Sequence, residues 1–327
     1  MLSLKKRGAL SMQISNFARG FFDSSSPLVP VALPSQRETH IWYIVPDEVQ
    51  NTSLLNQYLK LLSSCERESM FRMSGDKLQK SSLLARTLVR TTLSRYTNCQ
   101  ITPRSFKFRK NTFGKPEIEW GHYEEWSPPA LHFNVSHTSS LIACGVTVDK
   151  LVGVDVEEKQ RKIKNDILSF ARRYFSLHEV EHLHAILDPE IQRQEFIKLW
   201  TLKEAYVKAL GRGFSAAPFK TFTIRFRATR SDGLQVPTDL ISEASEILVE
   251  AFDDPKSLSN NWQFGLLELA NSHYAAICME KENILEGKGN DFMKLKVWKT
   301  LPFVEDEYVS GTNAVKIICG LSQCLHL

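Results

Sequence analysis

The chain has 327 residues, 43% of them hydrophobic, and a formal net charge of +4, enough to bury a substantial core or two domains of ordinary size. No apolar run reaches the roughly eighteen residues that a bilayer span needs, so a transmembrane segment is excluded. The charge is local: residues 1–37 hold five of the 41 basic residues and one of the 37 acidic ones, so the remainder is neutral, which excludes a protein-wide nucleic-acid field.

That first segment is acid-poor, with Lys5, Lys6, Arg7, Arg19 and Arg37, several hydroxyl residues, and Phe17, Phe21 and Phe22. It has the look of an organellar transit peptide. Residues 1–37 are therefore expected to be a targeting or disordered segment and the protein mitochondrial, with a plastid or the cytosol as alternatives. Cys65, Cys99, Cys144, Cys278, Cys319 and Cys324 form no C-x-x-C pair, and a reducing compartment fits them.

From Glu38 the chain reads as ordered. Thr39–Val45 is a strand, and Asp76–Tyr96 has the period of a long helix, with Leu83, Leu84, Leu88, Val89 and Leu93 inward and Lys77, Lys80, Arg86 and Arg90 wet. Asn111–Pro116 is a turn between strands. Leu131–Val135, Ser140–Thr147 and Leu151–Val156 suggest a small antiparallel sheet. Strand alternation puts Asp155 and Glu157 on one side of the third strand. Two carboxylates that close call for a hard cation such as Mg2+, or else belong to a strand end in solvent. Ser136 and His137, at the end of the first strand, could donate to phosphate oxygens. Lys159–Lys164 is a basic stretch where an acidic partner surface could dock.

His178-Glu-Val-Glu-His182 satisfies the zinc metalloprotease pattern H-E-x-x-H. A simpler account is a capping box, with Ser176 as N-cap and Glu179 at the third helical position. Phe196–Leu210 is an amphipathic helix that Gly211 ends, and Glu204 and Lys208 lie one turn apart on it. Phe219–Phe226, Trp262–Glu268 and His273–Met279 read as strands of a second sheet. Residues 282–327 carry no assigned role, although Val297–Glu307 could pack back.

Three segments in order, Phe133-Asn-Val-Ser-His137, Gly153-Val-Asp-Val-Glu157 and Trp200-Thr-Leu-Lys-Glu-Ala-Tyr-Val-Lys208, preceded by Gly114-Lys-Pro116, resemble the phosphopantetheinyl transferase superfamily. The likeness is to its larger, monomeric, two-half members of the surfactin-synthetase-activating and aminoadipate-semialdehyde dehydrogenase type, and spans about Glu38 to Lys281. It implies an α+β fold of two similar, pseudo-twofold halves, residues 38–150 and 151–281, each a small antiparallel sheet packed with a long helix. The active site is expected in the cleft between them, with 282–327 as an extension.

The implied activity is transfer of the 4'-phosphopantetheine arm of coenzyme A to a serine of an apo acyl carrier protein, releasing adenosine 3',5'-bisphosphate. Carriers of fatty-acid synthesis or of an aminoadipate-reductase type of lysine metabolism are both open. By the same resemblance Asp155, Glu157 and Glu204 would hold Mg2+, and Glu204, or secondarily Glu157, would be the base. Lys208 would assist the departing phosphate. Lys115, Ser136 and His137 would hold coenzyme A phosphates, with Arg72, Lys80, Ser82 and Arg86 placed by position at its 3'-phosphate. A zinc protease and a non-catalytic carrier-binding module are the alternatives.

Overall fold

In the computed structural model the described residues are 27–121, 127–164, 166–213, 217–228, 245–251, 261–281 and 293–318. Residues 1–26 of the expected targeting segment lie outside them, as do Cys319 and Cys324. In chain order the elements are β1 (Glu38–Ile44), α1 (Thr52–Leu61), α2 (Ser64–Phe71), α3 (Asp76–Tyr96), β2 (Lys107–Lys110), β3 (Pro116–Glu119), β4 (Leu131–His137), β5 (Ile142–Val148) and β6 (Val152–Glu158). There follow α4 (Ile167–Tyr174), α5 (Leu177–His184), α6 (Pro189–Leu210), β7 (Phe222–Ala228), β8 (Ser245–Ala251), β9 (Trp262–Leu269), β10 (His273–Glu280), β11 (Lys294–Leu301), β12 (Glu305–Tyr308) and β13 (Val315–Ile317).

Strand β1 is buried along its whole length because it has neighbours on both edges and both faces. It pairs with β11 in parallel and with β5 antiparallel, in a five-stranded sheet of order β12-β11-β1-β5-β4. Trp42 and Ile44 join the core beneath α3, with Leu84, Leu88 and Leu93, whereas Ile41 and Tyr43 face the second sheet. That sheet has the order β13-β9-β10-β6, and α6 covers its outer face through Leu202, Ala205 and Ala209. Between the sheets lies a layer of Val152, Val154, Val156, Leu267 and Ile277 against Ile41, Tyr43 and Val297. The result is the expected α+β arrangement, two sheets each backed by one long helix.

Three expectations are corrected, and the packing back of Val297–Glu307 is borne out. Strand β6 does not extend the β4–β5 sheet; after the turn at Asp149, whose φ is 58°, it crosses to the second sheet and pairs with β10. Strand β7 joins no large sheet but forms a hairpin with β8. Arg90 is 2% exposed: its guanidinium pairs with Glu66 at 2.7 Å and donates to the carbonyls of Pro103, Arg104 and Phe106, so it ties α3 to the loop after it. The chain beyond residue 282 supplies β11 and β12 to the first sheet and β13 to the second. A bidentate pair between Asp306 and the buried Arg95, at 2.8 Å, secures it, and Trp298 stacks on Trp42 with ring centroids 4.7 Å apart.

Two contacts set how the helices seat. Helix α6 starts with Asp188 capping the N–H groups of Glu190 and Ile191 and ends at Gly211, whose φ of 64° is left-handed. It can lie on β6 only because residue 153 is glycine: a Cβ there would stand 2.0 Å from the Ala205 carbonyl oxygen and 2.3 Å from the Ala209 nitrogen. On the other helix, the Tyr96 hydroxyl accepts from Trp42 Nε1 at 2.8 Å and shares a hydrogen bond with His40 Nδ1 at 2.7 Å.

Gly153→Ala is expected to cost about 2 kcal/mol or more, since backbone, not a mobile side chain, fills the space; denaturant titration should show a lower midpoint at unchanged slope. Burial lowers the His40 pKa to about 4. The unfolded imidazole takes its proton near pH 6.5 and the folded one only near 4, so its contribution is complete above pH 6.5 and lost as the pH falls between those values. The midpoint of His40→Gln should therefore vary less with pH across that window than that of the parent, by on the order of 1 to 3 kcal/mol.

Candidate active site

Strands β4 and β6 lie at edges of their respective sheets and are joined by side chains rather than by a backbone ladder. Asn134 Oδ1 accepts the Val154 N–H at 2.8 Å and Ser136 Oγ accepts the Val156 N–H at 3.3 Å. Residues two apart share one face of a strand, so the Asn-x-Ser spacing meets alternate N–H groups of β6 that would otherwise be buried without acceptors. Ser136 Oγ also donates to Asp155 Oδ1 at 2.9 Å. Lys208, in the last turn of α6, donates to Ser136 Oγ at 3.0 Å and to Asp155 Oδ1 at 2.6 Å. The three segments singled out in the sequence thus meet at one point.

Around that point opens a cavity of about 410 Å³ lined by Ser136 to Ser139 of the first half and by Asp155 to Glu158, Arg161 and Lys208 of the second. His137 stands exposed at its wall, its pKa lowered by desolvation and by Lys208. Burial first, and the charge of Asp155 second, push the carboxyls of Glu157 and Glu204 up to about 7. Glu157 is held by Arg161 at 2.5 Å, whereas no hydrogen bond or ion pair engages Glu204 among the described residues.

Among the described residues no three His, Cys, Asp or Glu side chains stand in a ready metal shell. Asp155, Glu157 and Glu204 do share one electrostatic neighbourhood, but Lys208 occupies Asp155 Oδ1 and Arg161 occupies Glu157. The residues nonetheless fit a hard cation. Asp155 Oδ2 is buried with no hydrogen-bond partner, and beside it are two carboxyls whose ionisation is suppressed first by burial and then by the charge of Asp155, an oxygen donor set such an ion prefers.

The H-E-x-x-H segment has another task. Glu179 Oε2 accepts from the Ser176 N–H at 2.9 Å and from the Ser176 hydroxyl at 3.0 Å, and its Oε1 accepts the Ile224 N–H at 2.8 Å. The fully buried Lys203 pairs with it at 2.9 Å. His178 faces Arg225 instead, so the zinc-protease reading fails. Lys203 also donates to the carbonyls of Phe219 and Phe222 and lies 4.1 Å from the Phe222 ring centroid. Burial lowers its pKa to about 8, which leaves it charged at neutral pH. This lysine locks α5 and β7 to α6 just where Glu204 leaves the helix. Sequence reading overlooked it, although its spacing from Leu199 and Tyr206 puts it on the buried stripe.

Lys115 is corrected. Its ammonium does not face the cavity but donates to the carbonyls of Lys208 at 2.8 Å, Val152 at 2.9 Å and Ala209 at 3.4 Å. It fastens the C-terminal end of α6, where unpaired carbonyls attract a cation; Asn111 helps by donating to the Gly211 carbonyl at 2.9 Å. None of Arg72, Lys80, Ser82 and Arg86 lines the cavity. Arg72 is exposed and paired with Glu68, Lys80 is half-buried near the start of α3, and Arg86 donates to the hydroxyl and carbonyl of Ser82.

A cleft between two α+β halves, with carboxylates and a lysine on one side and a serine and a histidine on the other, is equipment for chemistry at phosphate. Comparison with known proteins defines it further. Residues 151–278 match the model of the 4'-phosphopantetheinyl transferase superfamily, and residues 50–147 match that of the 4'-phosphopantetheinyl transferase N-terminal region. The chain is 31% identical to 4'-phosphopantetheinyl transferase HetI of Nostoc over 54% of this chain and 70% of that protein. It is 29% identical to 4'-phosphopantetheinyl transferase Sfp of Bacillus subtilis over 55% of this chain and 74% of that one. With the L-aminoadipate-semialdehyde dehydrogenase-phosphopantetheinyl transferase of Xenopus laevis it shares 25% identity over 63% and 64% of the two chains. The chain belongs to the 4'-phosphopantetheinyl transferase superfamily and is an enzyme of its larger, two-half type.

Lys115→Met is expected to lower stability by about 2–4 kcal/mol in the absence of any ligand, because it strands buried carbonyls. Thermal melts of the ligand-free protein check this; a lysine that served only as a phosphate ligand would leave the midpoint in place.

Proposed function

We propose that the protein transfers the 4'-phosphopantetheine arm of coenzyme A to a serine of an apo acyl carrier protein, releasing adenosine 3',5'-bisphosphate, with Mg2+ as its metal. The observation that carries this reading is the convergence of Ser136, Asp155 and Lys208 on one cleft whose carboxyls are only partly compensated by Lys208 and Arg161. The family membership supports it independently. Asp155, Glu157 and Glu204 are the residues that would hold Mg2+, which when bound supplies positive charge to the diphosphate oxygens.

The chain's own groups account for the rest. The serine hydroxyl attacks the phosphorus that bears the pantetheine arm, the bond from that phosphorus to the bridging oxygen breaks, and the serine proton goes to a carboxylate. Glu204 suits that role better than Glu157. No ion pair holds it among the described residues, whereas Arg161 holds Glu157, so its carboxylate is the one free to take the proton. Lys208 is placed to neutralise the departing phosphate, and Ser136 and His137 to donate to its oxygens.

Incubating the protein with coenzyme A, Mg2+ and an apo carrier should raise the carrier's mass by one phosphopantetheine, as read by mass spectrometry. Glu204→Gln should slow this by about 100-fold or more, and Asp155→Ala should abolish the metal-dependent turnover while the protein stays folded by circular dichroism. An unmodified carrier under every condition, or full activity in Asp155→Ala, would overturn the proposal.

A further inference from the structure

We propose that Arg161 is a phosphate-binding residue of the transfer reaction: its guanidinium leaves Glu157 and takes the diphosphate of coenzyme A. The proposal rests on the reading of coenzyme A as donor.

The turn that carries Arg161 is braced. Its N–H donates to the Glu158 carbonyl at 3.0 Å. From α6, Arg193 donates to the carbonyls of Lys159 at 2.6 Å and Arg161 at 3.2 Å, and Glu190 steadies Arg193 in turn. The guanidinium lies over the Trp200 ring, 5.6 Å from its centroid. A cation held over an aromatic face is attracted to it without being committed to one hydrogen-bond partner, so the ring favours the position of the charge and leaves its N–H groups free to change acceptor.

The present partner leaves most of the group unused. Arg161 makes one side-chain hydrogen bond among the described residues, from Nη1 to Glu157 Oε1, while a guanidinium has five donors and a bidentate phosphate contact needs two. Its side chain is 42% exposed and lines the same cavity as Ser136, Asp155 and Lys208. The balance of charge also calls for it. Asp155, Glu157 and Glu158 line the cleft, Glu204 lies within electrostatic range of the first two without lining it, and of the two cationic side chains in its wall Lys208 is already committed to Asp155. A polyanionic diphosphate entering that wall needs a cation free to change partners, and the exposed Arg161–Glu157 pair is weak enough to be exchanged. No proton moves: the guanidinium donates N–H groups to non-bridging oxygens and stays charged throughout.

Calorimetric titration of the full chain with inorganic pyrophosphate, and separately with coenzyme A, tests this without turnover. Arg161→Met is expected to weaken both by about 10- to 100-fold with no matching fall in melting temperature, and Arg161→Lys to recover only part, because an ammonium cannot make the bidentate contact. In turnover the same variants should raise KM for coenzyme A and leave KM for the carrier protein unchanged. Unchanged affinity in Arg161→Met, with the parent protein binding both ligands, overturns the inference alone, and so does a loss that only tracks thermal stability. A parent protein that binds neither ligand overturns this inference together with the coenzyme A reading.

Discussion

The close seating of α6 on β6 over Gly153 is the contact on which the site depends. With the helix backbone that near the strand, Lys208 reaches Asp155 and Ser136 directly, and Glu204 lies within electrostatic range of Asp155 and Glu157. A helix held a methyl group further off would lengthen the contacts of Lys208 with Asp155 and Ser136 and weaken the coupling between lysine and carboxylates. Lys115 and Lys203 support the same contact from either side. One fastens the helix end to β6, and the other anchors the helix to α5 and β7 through Glu179.

The junction between the halves is built with similar economy. Edge strands normally expose unpaired N–H groups that invite aggregation. Here Asn134 and Ser136 supply acceptors from the side, so β4 and β6 are stitched without becoming one sheet. Ser136 therefore serves twice, as a seam between halves and as part of the cleft. The chain after residue 282 strengthens the junction, since β11 and β12 complete the first sheet and β13 lies on the second. Arg95, buried beneath Trp42, is the cation that holds Asp306 in place.

The electrostatics of the cleft are those of a site prepared for added positive charge. Carboxyls crowded in a poorly hydrated space resist ionisation, and Lys208 and Arg161 supply only part of the compensation. The buried, unbonded Asp155 Oδ2 marks where a further cation would be accommodated at least expense to the fold. By contrast, the Lys203–Glu179 pair is matched and closed, with donors and acceptors paired inside an aromatic shell, which suits a structural lock rather than chemistry.

By itself the sequence determined the local elements: the span of α3, the left-handed stop at Gly211, the capping box at Ser176, and the facing of Asp155 and Glu157. These follow from periodicity and from the conformational demands of single residues, which act over a few positions. The motif order was legible too, and with it the family and the identity of the central Ser136, Asp155 and Lys208. Only the tertiary structure decided that β6 leaves β5 for β10, that β11 runs parallel to β1, and that Lys115 and Arg90 turn inward. In each case the partner is a backbone carbonyl, a distant carboxylate or a strand far along the chain. A lysine reads the same in sequence whether it meets a phosphate or a helix end; the fold settles which, because burial and the positions of unpaired carbonyls are properties of the packed chain.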